Sequence, residues 1–496
     1  MHLSTLLDCD VVAVEQTNEL TLLVELTAPR PDVTTTRQPA TLQIVLDRSG
    51  SMSGDRLEGA KAALVALVDR LDPADNLGVV AFDDAVQVVV PAGPLTDKAA
   101  VKAAIGAVQA GGSTDLSAGY LRGLQEAQRV AGPTGATLLL ISDGHANAGV
   151  TDADQLGGVA NTARSSGVTT SALGFGLGYD ERLLAALARG GSGNELFAEH
   201  ADAAVALISG EVDGLLEQVT QAASLRLTWS QHVVGIKVLN DLPVVSLPNG
   251  ALIELGSFYA GETRRLLITL QVPSIPALGL VQVASLEFTH VALPDLVQHV
   301  TNVPVHVNVV PGDQAAGRIP DPVVRSEALF QRSQQAKRES SRLLSEGCGD
   351  DAWAVLRQTG ADLRAGSVAL PPTLAAELFG EAEVMDALAE ESRIDVGRAA
   401  KMTSYDATMK SRNRGRQARG ARLVLRRVHD GAEVVLETWE AQRLLRLLST
   451  DLQGALSVGA TAHDGAPVAA ELGSADPLHA FFTSSAQRGG YTVGRA

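Results

Sequence analysis

The sequence has few of the residues that mark a secreted or membrane-spanning protein. It contains two cysteines, Cys9 and Cys348, which excludes a disulfide framework and favours a reducing compartment. It has no run of about 18 apolar residues, so no membrane span is expected. The first residues lack a basic segment, and Asp8 and Asp10 interrupt their apolar stretch, so no secretory signal is predicted. These absences predict a cytoplasmic protein that does not enter a membrane.

The motifs of several enzyme classes are also absent. The sequence has no Walker A segment, no His-Glu-x-x-His pair and no Gly-x-Ser-x-Gly turn. The glycine-rich segment at 174–178 follows a strand-like run, but Tyr179 stands where a dinucleotide-binding loop has its third glycine. We therefore predict that the protein is not an enzyme.

Hydrophobic patterning predicts an α/β unit at residues 37–220. Short apolar runs such as 41–46 and 136–142 are typical of buried parallel strands. They alternate with segments of helical periodicity, such as 55–71. This alternation predicts a Rossmann-like, doubly wound and mainly parallel sheet with helices on both faces.

A different pattern surrounds this unit. Residues 223–310 alternate polar and apolar side chains in short runs broken by Gly, Pro and Asn, which predicts an antiparallel β-sandwich. Residues 10–28 show the same alternation but have no obvious place in the α/β unit. We therefore expect them to pair with the later strands, so that the α/β unit is inserted into the sandwich.

The C-terminal part is predicted to be a helical region followed by a small α+β unit. A hairpin is expected to turn at Asp430–Gly431, and a helix is expected at 439–458. The predicted domain boundaries are 1–36 (first strands of the sandwich), 37–220 (α/β unit), 221–311 (rest of the sandwich), 312–322 (linker), 323–411 (helical region), 412–420 (basic linker) and 421–496 (α+β unit).

The net charge of −17 is distributed unevenly along the chain. Acidic residues concentrate in the first 220 positions, whereas basic residues prevail in the last hundred. The stretch from Lys410 to Arg427 has eight bases and neither an acidic nor an aromatic residue. The lack of aromatic residues argues against stacking on nucleic-acid bases. We interpret the stretch as a solvated linker or as a contact for the acidic region.

Five oxygen-bearing side chains are candidates for a common site. Three of them directly follow the first buried strand, one precedes a helix, and one follows the strand predicted at 136–142. In an open parallel sheet, ligands bind outside the carboxyl ends of strands where the strand order reverses, so these segments are expected to meet. The five residues are Asp47, Ser49, Ser51, Thr114 and Asp143.

The chemistry of this set favours a hard divalent cation. Every donor atom is oxygen, only two of the five groups carry a charge, and Cys and His are absent from the set. Mg²⁺ suits such ligands best, with Mn²⁺ and Ca²⁺ as alternatives. Ser49 or Ser51 as a nucleophile would need a nearby base, and the sequence indicates none.

Three segments of the sequence resemble motifs of a known protein family. IVLDRSGSMSGDRLEGAKAAL, GGSTDLSAGYLRGL and LLLISDGHAN are similar to the metal-ion-dependent adhesion site of von Willebrand factor type A domains. The first segment looks most like the bacterial relatives of inter-alpha-trypsin inhibitor heavy chains. The resemblance covers roughly residues 38–215. It implies that Ser49 and Ser51 coordinate the metal directly, that Thr114 does so when a ligand is bound, and that Asp47 and Asp143 act directly or through water.

The resemblance also implies how the protein functions. In the family, a Glu or Asp of a partner protein completes the coordination sphere, which makes Mg²⁺-dependent protein binding the expected function. The predicted helix at 201–221 would transmit a change in coordination to the sandwich. Bacterial relatives also work beside AAA+ ATPases, so an adaptor for such an ATPase is one alternative. A secreted adhesin is the other, although the missing signal and cysteine pairs argue against it.

Overall fold

The chain forms two compact units, residues 1–414 and residues 415–496. The structure, a computed structural model, describes residues 1–14, 16–30, 37–144, 146–273, 275–315, 318–411, 423–427, 433–436 and 491–495. Within these ranges, none of the helices combines the length and the apolar character needed to span a membrane.

The first unit begins with three strands, β1 (His2–Leu7), β2 (Val11–Ala13) and β3 (Asn18–Thr27). In β3 the side chains of Leu20 and Leu22 lie two positions apart and are both buried. This spacing is that of a strand with one face against a core, because successive side chains point to opposite faces.

The α/β unit follows β3. Its strands are β4 (Thr41–Asp47), β5 (Asn76–Phe82), β6 (Val86–Pro94), β7 (Ala136–Ser142), β8 (Val168–Phe175) and β9 (Ser192–Ala198). Its helices are α1 (Asp55–Arg70), α2 (Lys98–Gly106), α3 (Leu116–Val130), α4 (Ala153–Ser165), α5 (Glu181–Gly190) and α6 (Ala201–Leu216), with a 3₁₀ turn at Gly50–Met52 before α1.

The sheet of this unit has the strand order β6-β5-β4-β7-β8-β9. β6 runs antiparallel to β5, and the other neighbouring pairs are parallel. One apolar core, which includes Ile44 and Leu64, fills one face, and a second, which includes Val45 and Tyr120, fills the other. The strand order reverses between β4 and β7, because the chain adds β5 and β6 on one side and the later strands on the other.

The chain then completes the sandwich. Its later strands are β10 (Gln218–Trp229), β11 (Gly235–Val238), β12 (Val244–Leu247), β13 (Gly250–Tyr259), β14 (Thr263–Val272), β15 (Gly279–Ala292) and β16 (Val297–Val310). The two sheets have the orders β1-β3-β14-β11 and β12-β13-β10-β15-β16-β2. β3 pairs with β14 along ten residues, from Thr27 opposite Thr263 to Asn18 opposite Val272. The predicted fold class, a Rossmann-like α/β domain inserted in a β-sandwich, is confirmed.

The helix predicted at 201–221 is too long. α6 ends at Leu216, and β10 begins at Gln218 and lies between β13 and β15 in the larger sheet. The side chains of Val219, Leu225 and Leu227 are buried in the sandwich core. Burial in the sheet therefore overrides a sequence that would also allow the helix to continue. The segment that joins the α/β unit to the sandwich is a central strand.

Helices follow the sandwich in the first unit. They are α7 (Gly312–Ala315), α8 (Pro322–Ser345), α9 (Gly349–Ser367), α10 (Pro372–Ile394) and α11 (Val396–Ser411). α7 is one turn within the predicted linker 312–322. The Asp321 carboxylate accepts hydrogen bonds from the backbone N–H groups of Val323 and Val324, which fixes the start of α8.

A cluster of buried charges and an apolar contact hold these helices in place. Lys337 on α8 is fully buried and forms ion pairs with Glu381 on α10 and Asp406 on α11. Lys410 on α11 lies 2.9 Å from Glu381 and 3.0 Å from Asp406, so four alternating charges neutralise each other where the helices meet. On its other side, α11 contacts the α/β unit, with Tyr405 against both of that unit's apolar cores.

The second unit is described at three strands, β17 (Leu423–Arg427), β18 (Glu433–Leu436) and β19 (Tyr491–Arg495). They form an antiparallel sheet in the order β18-β17-β19. β17 and β18 pair as the arms of a hairpin. The predicted turn at Asp430–Gly431, the predicted helix at 439–458 and the predicted basic linker at 412–420 lie outside the described residues.

Candidate metal centre

Two buried carboxylates lie at the carboxyl edge of the α/β sheet. Asp47 is the last residue of β4, and Asp143 directly follows β7. β4 and β7 are parallel neighbours, with Leu46 opposite Ile141, so both carboxylates emerge at the same edge where the strand order reverses. The exposed fractions are 0% for Asp47 and 1% for Asp143. Two desolvated negative charges at one place require compensating partners.

Hydrogen bonds from Ser49 and Ser142 hold the Asp47 carboxylate. The backbone N–H of Ser49 lies 2.8 Å from Oδ1, and the hydroxyl of Ser142 donates to Oδ2 at 2.6 Å. Burial raises the pKa of Asp47, the hydrogen bonds from Ser142 and Ser49 oppose this rise, and the negative charge of Asp143 adds to it. A cation at this place would therefore relieve an unfavourable charge arrangement.

The two serine hydroxyls connect the carboxylates. Ser49 Oγ lies 3.1 Å from Ser51 Oγ, and Ser51 Oγ donates to Asp143 Oδ1 at 2.7 Å. Ser49 is buried, whereas Ser51 is exposed. The cluster is thus reached from solvent on the side of Ser51.

Thr114 joins the cluster through the loop that follows β7. Its backbone N–H donates to Oδ1 of Asn147 at 2.9 Å, and its carbonyl accepts a hydrogen bond from the backbone N–H of Asn147 at 3.2 Å. A Cβ atom at Gly144 would lie 3.3 Å from Ser51 Oγ and 3.6 Å from Thr114 Oγ1. Both hydroxyls therefore border the same small space in front of Gly144.

The loop before α3 is fixed against the loop after β4. The backbone N–H of Gly50 donates to the carbonyl of Gly112 at 3.0 Å, and the N–H of Gly111 donates to the carbonyl of Arg48 at 2.8 Å. A Cβ atom at Gly111 would overlap the carboxylate of Asp83. Glycine at position 111 thus allows the loop that carries Thr114 to approach β4.

Arg48 is part of this arrangement rather than a fully solvated side chain. Its guanidinium lies 3.2 Å from the Asp83 carboxylate. Burial raises the pKa of Asp83, but the backbone N–H of Ala85 and the Arg48 guanidinium outweigh that effect and lower it. Asp83 is therefore already paired, and its role is to hold Arg48 and the glycine loop.

Sequence reasoning missed three side chains of the centre. Ser142 holds Asp47, Asn147 holds Thr114, and Arg56 of α1 pairs with Asp143. Nη1 of Arg56 lies 2.5 Å from Asp143 Oδ2 and 3.3 Å from the carbonyl of Ser51. The position of Arg56 shortly after the serine loop was the available signal, but the sequence does not indicate which way the side chain points.

The arrangement fits a hard divalent cation. Its donors are two carboxylates and three hydroxyls, and oxygen donors of this kind are the ligands that Mg²⁺ prefers. The described part of the chain has no group of three or more His, Cys, Asp and Glu side chains with metal-binding geometry. The candidate centre differs from such a group because three of its five donors are hydroxyls.

The family comparison supports the α/β unit as a domain of known type. Residues 42–209 match the family model of the von Willebrand factor type A domain. The chain is 34% identical over 164 residues to the uncharacterized protein sll0103 of Synechocystis sp., which covers 33% of this chain and 39% of that protein. It is 33% identical over 177 residues to a UPF0353 protein of Mycolicibacterium paratuberculosis, which covers 33% of this chain and 52% of that protein. The chain thus spans between 39% and 52% of the length of these curated relatives.

Solved structures share a larger part of the fold. A von Willebrand factor type A protein from Catenulispora acidiphila has a TM-score of 0.64 at 18% identity, covering 81% of this chain and 95% of that chain. The ArnB paralog VWA2 from Sulfolobus acidocaldarius has a TM-score of 0.56 at 16% identity, covering 82% and 98%. Because these matches extend well beyond the α/β unit, the fold that they share includes parts of the chain outside it.

Proposed function

We propose that the von Willebrand factor type A domain at residues 42–209 holds one Mg²⁺ ion and uses it to bind a carboxylate of a partner protein. The proposed ligands are Asp47, Ser49, Ser51, Thr114 and Asp143. When bound, the ion supplies an electrophilic coordination position that a Glu or Asp side chain of the partner can occupy. The protein's role is that of a binding module rather than an enzyme.

One observation carries this proposal: two carboxylates and three hydroxyls from three separate segments, all but Ser51 buried, meet at the carboxyl edge of the sheet. Asp47 and Asp143 supply two negative charges that balance the two positive charges of Mg²⁺. Ser51 is exposed and continues the hydrogen-bonded cluster to the surface, so a ligand can reach the ion from that side. A von Willebrand factor type A domain supports a role in protein interaction.

Affinity purification with and without Mg²⁺ tests this function. Full-length protein is immobilised in a cell lysate with excess Mg²⁺, and the proteins released by EDTA are identified by mass spectrometry. We expect a specific protein in the EDTA fraction that is absent when Asp47→Ala or Thr114→Ala is immobilised. An AAA+ ATPase among the released proteins would assign the adaptor role.

A matched control separates loss of the site from loss of negative charge. Asp154 is exposed in the first turn of α4, away from the centre, so Asp154→Ala should capture the partner as the wild type does. Circular dichroism checks that each variant remains folded. Undiminished capture by both site variants, or capture that resists EDTA, would overturn the proposal.

A further inference from the structure

Arg56 lies beside the candidate metal centre and contacts two of its residues. It lies in the first turn of α1, immediately after the serine loop, and its guanidinium contacts the Asp143 carboxylate at 2.5 Å. The same nitrogen lies 3.3 Å from the carbonyl of Ser51. A Cβ atom at Gly176 would lie 3.3 Å from Cζ of Arg56, so the loop after β8 packs against the guanidinium from another side.

Both oxygens of the Asp143 carboxylate are therefore occupied by protein donors. Oδ1 accepts the hydrogen bond of Ser51, and Oδ2 accepts that of Arg56. Asp47 is held by the neutral donors Ser49 and Ser142, whereas Asp143 is paired with a permanently charged guanidinium. An arginine guanidinium stays charged at all physiological pH values. The centre thus combines two negative charges with one positive charge.

This charge balance has opposite consequences for a cation and for an anion. A divalent cation at the centre would be repelled by Arg56, which weakens its binding. Once the cation is bound, the two carboxylates and Arg56 leave the centre with a net charge of +1, which attracts an anionic ligand. The Arg56 side chain is 42% exposed, so an anionic ligand can approach it from solvent.

We propose that Arg56 determines the ligand specificity of the centre: it weakens binding of the divalent cation and strengthens binding of a carboxylate to the loaded centre. This inference rests on the proposed function, because it concerns the same ion and the same open coordination position. Arg56 makes the loaded centre select an acidic side chain over a neutral hydroxyl or carbonyl ligand. A centre with the same five ligands but without the arginine would bind the metal more tightly and carboxylates less tightly.

The test measures the two binding steps separately with defined probes. Binding of Mn²⁺ to the full-length protein is followed by electron paramagnetic resonance. Binding of acetate to the Mn²⁺-loaded protein is followed by the relaxation rate of water protons, which falls when a carboxylate displaces metal-bound water. The variants are Arg56→Gln, which keeps a hydrogen-bond donor near Asp143 without the charge, and Arg56→Lys, which keeps the charge.

Arg56→Gln should bind Mn²⁺ about thirtyfold more tightly, the change expected when a unit charge about 4 Å from a divalent ion is removed in a watery environment. The same variant should bind acetate several-fold more weakly, whereas Arg56→Lys should resemble the wild type in both steps. Arg342, an exposed arginine of α8 that pairs with Glu339 and Glu346, provides the matched control. Arg342→Ala should leave both dissociation constants unchanged.

Melting temperatures test the same charge effect in the metal-free protein. Without metal, Arg56→Gln leaves the buried Asp143 carboxylate without its cationic partner, so the variant should melt at a lower temperature than the wild type in EDTA. Saturating Mg²⁺ should raise the melting temperature of the variant by more than that of the wild type. An equal rise in both proteins would contradict the charge argument.

The outcomes distinguish this inference from the function on which it rests. If the wild type binds no Mn²⁺, or if Asp47→Ala binds Mn²⁺ as tightly as the wild type, the proposed metal centre itself is wrong. If the wild type binds Mn²⁺ but Arg56→Gln leaves the affinity unchanged or weakens it, the role of Arg56 is wrong and the centre stands. Tighter Mn²⁺ binding together with unchanged acetate binding would also overturn the assignment of specificity to Arg56.

Discussion

The hydroxyl of Ser142 donates a 2.6 Å hydrogen bond to Oδ2 of Asp47, and neither residue is exposed to solvent. The last residue of β7 thus holds the last residue of β4 across the point where the strand order reverses. The Asp47 carboxylate is oriented before any ligand arrives. Such support from a neighbouring group is what keeps metal ligands in place.

Ser142→Ala should destabilise the metal-free protein. The buried Asp47 carboxylate would lose the donor at its Oδ2, and a lost hydrogen bond to a charged group costs about 2 kcal/mol. Mg²⁺ should reduce this cost, because the cation would supply a positive partner for the same carboxylate. Urea unfolding in EDTA and in Mg²⁺ measures both effects, with the exposed Ser165→Ala as the control. A cost that is equal in both buffers would argue against an ion beside Asp47.

Adding Mg²⁺ should stabilise the wild-type protein against heat. An ion that binds only the folded state contributes about 2.7 kcal/mol at a concentration one hundred times its dissociation constant. The shift in melting temperature should disappear in Thr114→Ala, which removes a hydroxyl without removing a buried charge. Differential scanning calorimetry in EDTA and Mg²⁺ provides the measurement. Identical melting curves of the wild type in both buffers would exclude a stabilising site.

The stabilisation supplied by Asp75 should depend on pH. Burial raises the pKa of Asp75, but hydrogen bonds from Arg37 and from the backbone N–H of Ala40 outweigh burial, so the pKa lies below its usual value. The folded state therefore favours the charged carboxylate, and this contribution is complete above the ordinary carboxyl pKa of about 3.9. It is lost as the pH falls below that value towards the lower pKa of the folded state.

Asp75→Asn isolates this contribution. At pH 7 the variant should be less stable than the wild type by about 2 kcal/mol, the usual cost of weakened hydrogen bonds to a charged group. The difference should shrink as the pH falls below about 4, because the wild-type carboxyl then becomes neutral as well. Denaturant unfolding of both proteins between pH 3 and 7 checks this. A difference that stays constant across that range would contradict the lowered pKa.

Lys337→Met should strongly destabilise the helical region. Lys337 is fully buried and pairs with Glu381, and its removal leaves Glu381 with only Lys410 as a cationic partner among the ion pairs described. Breaking a buried ion pair from one side costs about 3–5 kcal/mol, whereas replacing both partners by apolar residues costs far less. The double variant Lys337→Met/Glu381→Leu should therefore recover part of the loss.

Denaturant unfolding compares these variants, with Arg342→Ala as a control at an exposed ion pair. Exposed pairs contribute little, so that control should unfold like the wild type. A double variant that is less stable than Lys337→Met alone would contradict the argument that the unpaired charge dominates.

The positions of the two carboxylates were predictable from sequence because each one follows a buried strand. β4 and β7 are almost wholly apolar, and a residue at the end of such a strand must emerge at the carboxyl edge of the sheet. The position of Asp47 and Asp143 at one edge of the sheet therefore follows from the strand pattern alone. Their spacing along the chain was irrelevant to this prediction, since parallel neighbours bring their ends together.

The supporting side chains were not predictable in the same way. Ser142 is a strand residue by sequence, and Arg56 is a charged residue at the start of a helix, which is where solvated charges commonly lie. Only the crossing of α1 over the sheet brings the Arg56 guanidinium to Asp143. The predicted end of the helix at residue 221 was wrong for a related reason. The residues after Leu216 suit a helix and a strand equally, and their packing between β13 and β15 determines that they form a strand.

The pairing of β3 with β14 also sets an order of events during synthesis. The hydroxyls of Thr27 and Thr263 lie 3.1 Å apart although 236 residues separate them. At translation rates of about 5–20 residues per second, β3 waits roughly ten to fifty seconds for its partner strand. All strands of the α/β unit are synthesised before β14, so this unit can fold while β3 still lacks β14 along one edge. Newly made chains therefore expose one edge of β3 for nearly half of the time that synthesis takes, which is a demand on chaperones that the finished protein no longer makes.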